Sequence, residues 1–271
     1  MDIQDTNLDS GEKNVSLAKE KSTFIPGGRS VGAGAATEWI GSAWGMFKAN
    51  PMRWILITLI YIAIIAITVF IPFLGIFSML FGPVFVAGFI AAGEKQRTTG
   101  NFDIELIFYG FKNKLGSLVA VGALFFGIYL LGVIAAMIVG GAGLFQLILS
   151  GQSSDPALLL GSLSTLFLSI LILYFFMTVG LAFSWFAPAL IIINDLKFGE
   201  AVSMSLSAVK KNLFGGFLFF LLMGIMMSIS AIPLGLGLFV MIPLYMATYY
   251  TTYRSIFYTT ESQESKSDLI S

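Results

Sequence analysis

Four long stretches of this chain contain no Asp, Glu, Lys or Arg, and they restrict its fold more than any other feature. They are Trp54–Gly93, Leu115–Ser154, Pro156–Asn194 and Leu213–Tyr253. Each is about 40 residues long, roughly twice the ~20 that a helix needs to cross the hydrocarbon core. In lipid there is no water to satisfy backbone N–H and C=O groups, so helices, which satisfy their own, are expected throughout. The short alternating segments of a transmembrane barrel are absent. With 57% hydrophobic and only 11% charged residues, against about a quarter charged in soluble domains, the chain reads as an all-α polytopic membrane bundle.

Missing residue types exclude much chemistry. There is no Cys and no His, which removes disulfides, thiolate nucleophiles and the usual zinc ligands. The apolar stretches hold no intramembrane Asp pair, no Ser with a His partner and no buried ion pair of the kind that pumps and relays use. No enzyme activity, metal or cofactor is therefore expected. Net charge is zero and no basic domain stands out, so nucleic acid is not an expected partner. The expected partners are the phospholipid bilayer, specific lipids, or another membrane protein.

Six spans fit the pattern: about 53–71, 74–93, 116–139, 158–185 (its helix continuing past Pro188 toward Asn194), 213–230 and 236–256; the rival count is eight, with 115–154 and 156–194 each a hairpin. Turns are expected at Ile71-Pro72 and Ile232-Pro233, because a residue before proline resists the α region. The third span is expected to end at Gly140-Gly141-Ala142-Gly143. With six spans, all 15 Lys and Arg fall on the side of both termini, and the opposite loops carry only Asp155. That asymmetry predicts that both termini are cytoplasmic. Trp39, Trp44, Trp54 and Trp185, with Tyr249, Tyr250 and Tyr253, lie near the same face and read as an aromatic belt. Residues 1–36 read as a disordered cytoplasmic tail and 259–271 as a cytoplasmic tail, with "GAGAAT" (32–37) as a flexible linker.

The chain also repeats itself. Aligning "WIGSAWGMFKANP" (39–51), "IELIFYGFKNKLG" (104–116) and "VSMSLSAVKKNLF" (202–214) on Lys48, Lys112 and Lys210 superposes four apolar positions. These are Ile40/Ile104/Val202, Ala43/Ile107/Ser205, Trp44/Phe108/Leu206 and Phe47/Phe111/Val209. Their i, i+3, i+4, i+7 spacing is one stripe of a helix. An Asn follows each Lys (Asn50, Asn113, Asn212), and a span begins after it. "GPVFVA" (82–87), "APALII" (187–192) and "IPLYMA" (242–247) place a proline in each returning span. The expected fold is thus six helices as three parallel units, about 37–97, 102–197 and 199–258. Each unit is a cytoplasmic amphipathic helix followed by a membrane hairpin. The apolar stripes form an interfacial collar whose lysines face the phosphate layer.

Small residues recur every four at Gly132, Ala136 and Gly140, and again at Gly88 and Ala92. Such faces let helices approach closely in lipid. Thr178, Ser184, Trp185, Asn194 and Asp195, around Pro188 at the inner mouth of the fourth span, form the candidate polar patch.

"GRSVGAGAATEWIGSAWGMFKANPMRWI" (28–55) and "APALIIINDLKFGEAVSMSLSAVKKN" (187–212) resemble an uncharacterised group of bacterial six-helix membrane proteins. That group is similar to the YciC-type inner-membrane proteins and to the membrane domain fused to some glycerophosphodiester phosphodiesterases. The resemblance covers roughly residues 28–258. It implies a bacterial inner membrane and supplies no catalytic residues; the phosphodiesterase domain is not in this sequence. The expected function is non-enzymatic, in envelope or lipid homeostasis or as a partner scaffold. The alternative is a facilitator or exporter of a hydrophobic small molecule.

Overall fold

A computed structural model of the protein describes residues 22–71, 75–152 and 156–260. The expected turn residue Pro72, the loop residue Asp155 and the outer parts of both tails lie outside these residues. The described chain is almost entirely helical. Helix α1 (Ala35–Ala49) leads into α2 (Pro51–Phe70) and α3 (Gly75–Thr99). A 3-10 turn (Ile104–Phe108) and the single-turn α4 (Tyr109–Lys112) lead into α5 (Leu115–Gln152), α6 (Pro156–Ser184) and α7 (Ala187–Ile193). Helix α8 (Phe198–Lys211) leads into α9 (Leu213–Ala231) and α10 (Leu238–Phe257). The repeated Asn ends each short helix. Asn50, Asn113 and Asn212 are C-caps with non-helical backbone, and their N–H groups turn back to Phe47, Tyr109 and Val209 carbonyls. Such caps satisfy acceptors that a helix end leaves open.

Among the described residues, five helical stretches are long and apolar enough to cross a membrane: Pro51–Thr68, Gly75–Thr99, Leu115–Leu149, Pro156–Ile193 and Leu213–Ala231. The expected sixth, α10, has 20 residues, but Thr248, Tyr249, Tyr250, Thr251, Thr252, Tyr253 and Arg254 make its second half polar. That half is buried in protein, so it does not need an apolar surface.

Several expectations need correcting. Helix α5 does not stop at Gly140–Gly143 but continues to Gln152. Glycine there serves close packing: a Cβ on Gly140 or Gly143 would meet Ser169 or Leu166 of α6. The fourth span breaks at Trp185-Phe186, where Pro188 opens the short α7. Ser205 Oγ accepts the freed Phe186 N–H at 3.2 Å and donates to the Ala182 carbonyl at 2.9 Å. The tail boundary also moves. Residues Ser22–Phe24 (β1) pair antiparallel with Tyr258–Thr260 (β2), and residues 25–31 bond to the ends of α10 and α8. Gly28, at φ +66°, must be glycine, because a Cβ would lie 2.7 Å from Ile256 Cγ2. The aromatic belt reduces to Trp44, which is 41% exposed; Trp39, Trp54 and Trp185 are buried in the core.

The core sits at the end of the molecule that carries the short helices. Each short helix packs on the returning helix of a different hairpin. The 3-10 turn and α4 lie on α3, α8 lies on α6 and α7, and α1 lies on α10 and α9. Close approach marks these seats. A Cβ on Gly88 of α3 would sit 2.5 Å from the Ile107 carbonyl oxygen. Thr251 of α10 donates to the Trp39 carbonyl at 3.1 Å. The seats close into a ring.

Candidate functional site

A cavity of about 260 Å³ lies where α2, α3, α5, α6, α7 and α10 converge, beside the ring of short helices. Its wall includes Tyr61, Ser78, Pro83, Ser184, Trp185 and Tyr249, and no Asp, Glu, Lys or Arg. Two prolines shape it. Pro83 has no N–H for the Met79 carbonyl, and Pro188 has none for that of Ser184; Met79 and Ser184 both line the cavity. Trp185 is fixed from two sides: its ring stacks on Tyr249 at 4.3 Å, and its Nε1–H donates to Thr252 Oγ1 at 3.3 Å. Ser78 shares a 2.7 Å hydrogen bond with Thr68. The wall is therefore mainly apolar and aromatic, with the hydroxyls of Ser78 and Ser184 already bonded to Thr68 and to the Gly180 carbonyl, and it suits an uncharged or amphipathic molecule.

A second, almost wholly apolar cavity of about 290 Å³ lies between α2 and α10, bounded by Ile55, Thr58, Ile62, Leu238, Phe239 and Pro243. The buried Thr58 hydroxyl there has no hydrogen-bond partner among the described residues.

The candidate polar patch does not gather in one place. Ser184 and Trp185 line the first cavity. Thr178 faces outward and donates to its own helix at Tyr174, as Ser and Thr in spans commonly do. Asn194 accepts from Tyr253 OH at 2.5 Å and donates to Tyr258 OH at 3.1 Å. Asp195 is exposed and paired with Lys114. Both halves of that pair have positive φ, +57° and +59°.

The collar residues divide by position. Ala43, Ile107 and Ser205, which align in the sequence, are all fully buried. Phe47 is buried, and Phe111, Leu206 and Val209 are half-buried. Trp44 and Phe108 are about 40% exposed, and Lys48, Lys112 and Lys210 point outward. Lys48 lies over the Trp44 ring at 5.7 Å.

Sequence reasoning passed over two polar joints and part of the cavity wall. Gln96 accepts from Trp54 Nε1 at 2.8 Å and donates to the Met46 carbonyl at 2.9 Å, tying α1, α2 and α3 together. Glu94 accepts from Arg97 at 2.5 Å and from Tyr250 OH at 2.6 Å, joining α3 to α10. Tyr61 and Tyr249 supply two of the four aromatic rings in the wall of the first cavity. The signal available for Gln96 and Glu94 was their position just past a charge-free run, a place usually read as solvated.

No protein-family model matches this chain, and neither a curated protein nor a solved structure matches it.

Proposed function

We propose that this chain is a non-enzymatic multi-pass protein of a bacterial inner membrane, related to the YciC-type proteins. It serves envelope or lipid homeostasis, or scaffolds a membrane partner. In this reading α10 is a sixth crossing, the three units are parallel repeats, and both termini are cytoplasmic. The order of one short and two long helical segments, occurring three times, supports the repeat. The pairing of β1 with β2 supports termini on one side.

One observation carries the reading: the proline-shaped cavity beside the ring of short helices has hydroxyls and aromatic rings in its wall but no charged group. Such a wall binds without supplying an acid, a base or a counter-ion. Native mass spectrometry of detergent-extracted protein tests it, and a specific lipid should be retained. The reading is abandoned if no lipid is retained and deletion leaves envelope stress responses unchanged.

The cavity also favours a second reading, a facilitator or exporter of a hydrophobic small molecule. Filling the space with Val86→Trp should then abolish movement of such a compound across vesicles while the protein still folds. Unchanged flux in that variant removes the second reading.

A further inference from the structure

The α5–α6 hairpin is too long for the membrane its neighbours fit. Helix α5 has 38 residues against 20 in α2 and 19 in α9. At 1.5 Å per residue it measures about 57 Å, against a hydrocarbon core of about 30 Å. Its register against α3 shows where the surplus lies. The two helices run antiparallel, and Gly122 of α5 already abuts the Leu80 backbone of α3. Helix α3 begins at Gly75, level with about residue 127 of α5 at equal rise. Beyond that level α5 and α6 pack on each other.

The surplus is apolar outward and polar inward. Leu131, Ile134, Ile138 (71% exposed), Phe145 and Ile148 line the outer face of α5, and Leu160, Phe167 and Leu171 that of α6. Inside the hairpin, Ser162 is buried and Thr165 donates to Gln146 at 3.5 Å. Ser164, facing outward, donates to its own helix at Leu160. A surface of this kind does not stand in water.

Small residues decide between lipid and protein as the covering. Helices that dock in lipid present small side chains to each other. Here Gly132, Gly140 and Gly143 face Phe176, Ser169 and Leu166 of α6, so they are spent within the hairpin. The outer face is dominated by long aliphatic and aromatic groups, interrupted by the adjacent Gly141 and Ala142 on α5 and by Ala157 and Ser164 on α6. Such a face fits acyl chains.

We propose that the distal half of the hairpin, about residues 131–152 of α5 and 156–171 of α6, lies obliquely among the acyl chains of the leaflet farther from the short helices. Keeping a 57 Å rod within about 30 Å of hydrocarbon requires a tilt of about 60°, well beyond the usual range of 0–40°. The hairpin would then act as a wedge that displaces lipid on one side of the bilayer. This rests on the membrane fold and on neither reading of the cavity.

The chain has no Cys, so each introduced one carries a nitroxide label alone. Ile134→Cys and Phe145→Cys lie three helical turns apart on one face of α5, as do Leu160→Cys and Leu171→Cys on α6. In phosphatidylethanolamine–phosphatidylglycerol vesicles, all four labels should collide with oxygen far more than with a water-soluble nickel chelate. Depth should change by about 8 Å between the members of each pair. A change of about 16 Å with Phe145→Cys in water overturns the proposal. So does protection from both collision partners with dipolar coupling between labels, which would place a second copy on the hairpin.

Discussion

Gly93 of α3 faces the ring of Tyr250 on α10 so closely that a Cβ on the glycine would lie 2.6 Å from Tyr250 Cγ. The ring is fixed in turn, since Tyr250 OH donates to Glu94 at 2.6 Å and accepts from Arg97 Nε at 2.9 Å. The first and last hairpins therefore meet ring to backbone. Gly93→Leu should cost at least the 1–3 kcal/mol typical of overpacking. Tyr250→Phe, which keeps the ring, should cost about 1.5–3 kcal/mol for a bond to a charged acceptor. Thermal denaturation in detergent should rank Gly93→Leu below wild type; an unchanged midpoint would mean the helices do not touch there.

Gln96 bridges a three-helix joint, bonded to the Trp54 indole and the Met46 carbonyl. Gln96→Leu strands the fully buried indole N–H, at about 1–3 kcal/mol. Removing that donor as well, in a Gln96→Leu, Trp54→Phe pair, should cost less than the two single changes summed. A double-mutant cycle on the thermal midpoint checks the coupling.

Ser205 holds the break between α6 and α7 with one hydroxyl. Ser205→Ala leaves the Phe186 N–H and the Ala182 carbonyl without it. The expected loss is about 1–3 kcal/mol, seen as faster hydrogen exchange at Phe186. Ser205→Thr, which keeps the hydroxyl, should retain more protection than alanine. Equal exchange in all three would show that the hydroxyl does not hold the break.

Asp195 should be tolerant in charge and sensitive in shape. Its ion pair with Lys114 is solvent-exposed, a class worth about 0–1 kcal/mol, so Asp195→Asn should shift the melting midpoint little. Its φ of +57° disfavours β-branched residues, so Asp195→Val should destabilise more than Asp195→Gly. Equal midpoints for Val and Gly would contradict the backbone assignment.

Much of the fold was legible where the physics is local. Charge-free runs marked the long helices, and the Asn after each Lys marked a helix end. The shared stripe placed Ala43, Ile107 and Ser205, all three fully buried. What escaped was set by distant contacts. Glycine signals a helix end as readily as a close approach, so Gly140 and Gly143 read as a stop when α6 was the reason for them. Trp39 and Trp54 looked interfacial because helices that bury them are far along the chain. The cavity was half legible: Ser184 and Trp185 flank a visible proline, but Tyr61 and Tyr249 enter from helices whose positions depend on the whole ring.

That ring has a temporal cost. Thr251 reaches the Trp39 carbonyl across 212 residues, so α1 is synthesised long before its seat on α10. At about 5–20 residues per second, some 10–40 s pass in which the nascent N-terminal helix has no protein to cover its apolar side. During biogenesis it must wait on the membrane surface or in the hands of an insertion factor, and the last helix to leave the ribosome releases it.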